Sequence, residues 1–152
     1  MNQDASSEYL RNAVMTATPE QLQLMLYDGA IRFTRQAREA MERKDLETSC
    51  EKLLRVQRIM IELQSGLRSE INPELCSQMS ALYSFVYDRL VEANMKRDLA
   101  CIDESLRILE HMRETWRLLL EKLRGAAASL SPTSHPSPAT TSGVGEALSL
   151  EC

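Results

Sequence analysis

Between Leu22 and Leu123 the apolar residues recur at intervals of three and four, the period of an α-helix with one buried face. Leu22, Met25, Leu26, Ala30, Phe33 and Ala37 share a face. So do Leu53, Val56, Met60, Leu63 and Leu67, then Leu75, Met79, Leu82, Val86, Leu90 and Ala93, and last Leu99, Ile102, Leu106, Leu109, Trp116, Leu120 and Leu123. Capping residues set the bounds. Thr18, Pro19 and Gln21 combine an N-cap, a proline at the first helical position and the far half of a capping box, which predicts a helix from about Pro19 to Arg43. Asp45 opens a second helix, ending near Leu67 after Gly66. Asn72-Pro73-Glu74 opens a third, ending near Asn94, and Asp98 opens a fourth, which Gly125 is expected to close. The connections around Lys44 and over Met95-Lys96-Arg97 are short, so sequential helices must turn back on one another. The expected fold is all-α, an antiparallel up-down-up-down four-helix bundle over residues 18–125.

Two segments fall outside that pattern. Residues 1–17 are mostly polar except for the short apolar patch Tyr9, Leu10, Val14, expected to be a short N-terminal cap segment or a frayed end. From Ala126 the chain turns to Ala, Ser, Thr and Pro, and residues 126–152 are expected to be a disordered tail, because they bury too little apolar surface to offset the entropy of ordering.

Each helix also carries apolar residues off its main seam: Leu24, Tyr27 and Ile31; Leu54 and Ile61; Cys76, Tyr83 and Tyr87; Cys101, Ile108 and Leu119. A wide stripe suits ordinary globular packing. It equally suits a hydrophobic groove that accepts amphipathic helices from a partner, and eight methionines suit an adaptable surface. Trp116 falls on the last seam, with its indole N–H expected to find a partner near the bundle end. Gly29, inside the first helix, is a local conflict explained by close approach of a neighbour.

Charge narrows the function. Lys and Arg total 18 against 22 Asp and Glu, a formal net charge of −4, the wrong sign for a surface that neutralises phosphates, so no nucleic-acid partner is expected. No segment approaches the ~20 continuous apolar residues that span a bilayer, and a cytoplasmic protein without membrane insertion is expected. Cys50, Cys76, Cys101 and Cys152 stand singly, without zinc-ligand spacing, so neither a disulfide framework nor a metal is expected.

Catalytic chemistry has little to work with. Of two histidines, His135 lies in the tail, and His111 lies about 200° around its helix from Leu109, facing solvent. The alternative readings are a helical adaptor with a different protein client and a signalling bundle using His111 for phosphotransfer, but phosphotransfer domains place a lysine and a glycine three and four residues on, and Glu114 and Thr115 stand there. No glutamate precedes His111 at the spacing of a di-iron site, since Ile108 is there. No Gly-rich phosphate loop, nucleophile elbow or cofactor signature is present, and no enzyme is expected.

The run Thr16 to Leu22, the string Met25-Leu26-Tyr27-Asp28-Gly29-Ala30-Ile31, Gln57 to Leu63, Leu82-Tyr83, Ala93-Asn94 and Arg113-Glu114-Thr115-Trp116 resemble, in order and spacing, the flagellin export chaperones of the FliS type. The similarity covers roughly residues 9–124. It implies a chaperone whose grooves bind the C-terminal helical segment of flagellin, preventing premature polymerisation and aiding delivery to the flagellar type III export apparatus. It also implies that Tyr9, Leu10 and Val14 match a cap lying over the groove of the free chaperone. Off-seam placement and the resemblance together nominate Tyr9, Leu10, Val14, Leu54, Ile61, Tyr83, Tyr87 and Ile108 for partner contact.

Overall fold

The computed structural model describes residues 2–130, and over that range the chain is all-helical. Five helices follow in order: α1 (Asn2–Thr16), α2 (Pro19–Glu42), α3 (Leu46–Ser65), α4 (Pro73–Lys96) and α5 (Leu99–Leu130).

The capping residues act where the sequence places them. The Gln21 backbone N–H donates to Thr18 Oγ1 at 3.2 Å, and the Thr18 N–H donates to Gln21 Oε1 at 3.0 Å. Two of the unpaired donors at the start of α2 are thus satisfied reciprocally. Asp45 accepts from the Thr48 N–H at 3.2 Å, a bond that favours the carboxylate and holds the Asp45 pKa below its ordinary value. Asn72 accepts from Leu75 N–H at 3.1 Å and Asp98 from Ala100 N–H at 2.9 Å. Between α2 and α3, and between α4 and α5, the chain reverses through left-handed residues, Lys44 at φ 61° and Arg97 at φ 54°.

Contacts between helices run in opposite senses. Gly29 neighbours Ile59, whereas Phe33, one turn later on α2, lies under Lys52 and Arg55 of α3. Gln64 donates to Ser80 Oγ at 2.9 Å, and at the other end of α3 Asn94 donates to Cys50 Sγ at 3.3 Å. Along α2, Asp28, Arg35 and Arg38 pair with Arg113, Glu110 and Asp103 of α5 in descending order. Arg89 of α4 pairs with Glu104 of α5 at 2.9 Å. These exposed pairs contribute little individually. The buried cluster of Ala30, Leu53, Val56, Met60, Val86, Leu90, Ile102 and Leu109 holds the helices together. Two hydroxyls inside it, on Thr34 and Ser105, bond back to the carbonyls of Ala30 and Cys101.

Several expectations are corrected. The stretch before Pro19, where no helix was expected, forms the helix α1. Gly125 does not close α5, which continues through Ala126-Ala127-Ala128 to Leu130. Alanine is the strongest helix former, and three in succession outweigh a glycine that costs on the order of 1 kcal/mol. The tail therefore does not begin at Ala126; its remaining residues, with His135 and Cys152, lie outside the described residues. Leu123 is exposed rather than on a buried seam, as is every residue from Glu121 to Leu130. Gly29 is buried, yet a Cβ there would meet Ile59 Cδ1 at an ordinary 3.5 Å, so close approach does not require a glycine.

Candidate functional site

An open apolar groove lies where the start of α2, the α3–α4 turn, the start of α4 and the middle of α5 converge. Its volume is about 560 Å³, within the range of pockets that bury ligand-sized groups. Leu67, Ile71, Leu75, Met79 and Leu82 form one wall, Met112, Trp116 and Leu119 the other, with Gln23 and Tyr27 from α2 at its base. Leu75 is 52% and Ile71 79% exposed, and Leu119 is exposed too. Large aliphatic side chains clustered in a concave, solvent-open site mark a surface that gains by being covered. Cys76, a free half-buried cysteine, and the exposed His111 also line the groove.

Local interactions hold the groove open. Asn72 and Pro73 start α4, and Leu75 in its first turn lines the groove and stays half exposed. Trp116 is fixed by its indole N–H, which donates to the Glu20 carbonyl at 3.0 Å and ties α5 to the first turn of α2. At the base, Gln23 donates to the Tyr27 hydroxyl at 3.4 Å, and Tyr27 and Tyr83 share a hydrogen bond of 2.6 Å. Burial, then that bond, push the Tyr83 phenol above its ordinary pKa, so it stays neutral.

The nominated contact residues separate into three groups. Tyr83 is not off the seam at all: it is fully buried, and the same holds for Tyr27, Ile31 and Cys101. Tyr83 stands three residues before Val86 and seven before Leu90, on the same buried face of α4, and its hydroxyl finds a partner across the core. Tyr87 and Ile108 are half-buried and pack against the core. Leu54 and Ile61 of α3 are exposed, as are Tyr9, Leu10 and Val14 of α1. No apolar side chain of α1 packs against the core and none lines the groove, so the cap implied by the resemblance is not seen here. Conversely, Leu75, Met79 and Leu82, expected on an interior seam, line the groove, and Ile71 drew no attention in the sequence. The only signals for this site were the off-seam positions of Cys76 and Leu119.

The remaining chemistry is sparse. Among the described residues no group of three or more His, Cys, Asp or Glu is placed to hold a metal ion. None of the described helices is long and apolar enough to cross a membrane.

Relatives share part of the sequence, and a solved structure shares the fold. The family model described as "Flagellar protein FliS" matches residues 1–123. The flagellar secretion chaperone FliS of Bacillus subtilis (strain 168) is 38% identical over 122 residues, spanning 80% of this chain and 90% of that protein. Its counterpart in Salmonella typhimurium (strain LT2) is 33% identical over 114 residues, 74% of this chain and 84% of the relative. A solved crystal structure of a bacterial flagellar chaperone shares the fold, with a TM-score of 0.65 over 80% of this chain and 99% of that one at 24% identity. With the family model matched over residues 1–123 and relatives of 38% and 33% identity, the chain belongs to the FliS family of flagellar secretion chaperones, a family of chaperones and not of enzymes.

Proposed function

We propose that this protein binds the C-terminal helical segment of flagellin, with the groove of Ile71, Leu75, Met79 and Leu119 as the primary contact. By shielding that segment it prevents premature polymerisation and presents the subunit to the flagellar type III export apparatus. The observation that carries the reading is the solvent-open aliphatic groove in a member of this chaperone family. An unfolded terminus that becomes an amphipathic helix on binding buries its apolar face there, and the gain offsets its ordering entropy. In this reading the helices from α2 to α5 form an antiparallel up-down-up-down four-helix bundle, and the chaperone works in the cytoplasm. Leu54 and Ile61, with Tyr9, Leu10 and Val14, extend the contact along a client longer than the groove, while Tyr87 and Ile108 support it from half-buried positions.

Calorimetric titration of the full chain with a peptide spanning the C-terminal segment of its own genome's flagellin tests this. Saturable binding with a negative heat-capacity change is expected, the mark of buried apolar surface. Absence of saturable heat at several temperatures contradicts the reading.

A further inference from the structure

We propose that the outer face of α2 is a second docking surface, which takes an acidic segment of a partner polypeptide. Three cations converge on the half-buried ring of Phe33. The Arg32 guanidinium lies 5.0 Å from its centroid, the Lys52 ammonium 5.5 Å and the Arg55 guanidinium 5.3 Å. Among the described residues only Arg55 has a counter-charge, Glu51 at 2.9 Å. Neither Arg32 nor Lys52 has a carboxylate partner among the described residues. Such a cluster is unusual on a chain of net charge −4. The ring attracts each cation weakly at an exposed site, and gathering three like charges around one ring sets them in mutual repulsion. A carboxylate set among them relieves that repulsion and gains charge-assisted hydrogen bonds.

The surface continues past Arg32 into a cleft of about 580 Å³ between α2 and α5, where Arg35, Gln36 and Arg113 lie. The Gln36 side-chain oxygen there is shut off from solvent and has no hydrogen-bond partner. A polypeptide offers both carboxylates and N–H groups. An acidic segment can set one or two carboxylates at the Phe33 cations and keep clear of Asp28, Glu39 and Glu110 in the cleft, whereas a nucleic acid carries a phosphate at every step. The surface shares no lining residue with the apolar groove, so occupancy of one leaves the other open.

The test is a nuclear magnetic resonance titration of the full chain with a synthetic Glu-rich peptide, its Lys-for-Glu counterpart and a single-stranded RNA oligomer. The acidic peptide is expected to shift the amides of Arg32, Phe33, Gln36, Lys52 and Arg55, and the basic peptide to leave them in place. The double substitution Arg32→Glu/Lys52→Glu is expected to weaken the acidic peptide about tenfold, whereas Arg107→Glu, an exposed cation elsewhere on α5, leaves it within about twofold. Should the charge-reversed protein lose its dispersed spectrum, Arg32→Gln/Lys52→Gln takes its place. Shifts absent from this face, RNA binding it at least as tightly, or equal loss from Arg107→Glu overturns the proposal.

Discussion

Tyr27 and Tyr83 stand 56 positions apart in the chain, yet their hydroxyls meet at 2.6 Å inside the core. Both side chains are almost wholly buried. Their apolar rings contribute to the core as leucines do, and the shared bond removes the penalty of burying two hydroxyls. Removing one hydroxyl strands the other. Tyr27→Phe alone, and Tyr83→Phe alone, should each destabilise the protein by about 1–3 kcal/mol. The double variant should cost clearly less than their sum, since no orphaned hydroxyl remains. Urea denaturation of the four proteins measures this, and strict additivity contradicts the pairing. Periodicity alone does not reveal the pair: Tyr83 lies on the buried face of α4 with Val86 and Leu90, but the partner its hydroxyl meets on another helix depends on packing between residues 56 positions apart.

At the scale of the element, legibility depended on whether the deciding physics was local. The caps of Thr18, Asp45, Asn72 and Asp98 act through bonds spanning two or three residues, so the sequence displays them in full. The start of each of these helices was accordingly readable. The end of α5 was not, since Gly125 signals a stop while the alanines after it favour continuation, and no single residue shows which wins. The helix α1 was missed for a related reason. Its apolar residues Tyr9, Leu10 and Val14 form no continuous seam, and its helical form shows no apolar packing onto the core. The groove was illegible because four separate elements contribute to it; Leu75 and Met79 satisfy the pattern of an interior seam while sitting at an end of α4 that nothing covers. Gly29 gives a test at this scale. An added Cβ meets only Ile59 Cδ1 at 3.5 Å, an ordinary contact, and the backbone there is helical. Gly29→Ala is therefore expected to stabilise the protein by about 1 kcal/mol through helix propensity, seen as a higher thermal midpoint. A lower midpoint means that α3 needs more room than this packing shows.

For the whole molecule, stability and binding use different parts of the same apolar inventory. The cluster around Leu53, Val56, Leu90 and Ile102 is sealed. Ile71, Leu75 and Leu119 stay exposed beside it and contribute little to folding until something covers them. A chaperone needs that division, because a client must be able to leave without unfolding its carrier. The charged face of α2 lies apart from the groove and gives the molecule a second surface of opposite chemistry. The central claim is that the open groove is where the flagellin segment binds. Calorimetric titration of that segment into Leu75→Glu and Leu119→Glu, beside Met95→Glu at the far end of α4, tests it most directly, since Leu75 and Met95 lie about 30 Å apart along the helix. The account predicts that both groove variants keep their helical circular dichroism and bind at least about tenfold more weakly, while Met95→Glu binds as the unmodified chain does. Folded groove variants with undiminished affinity would contradict it.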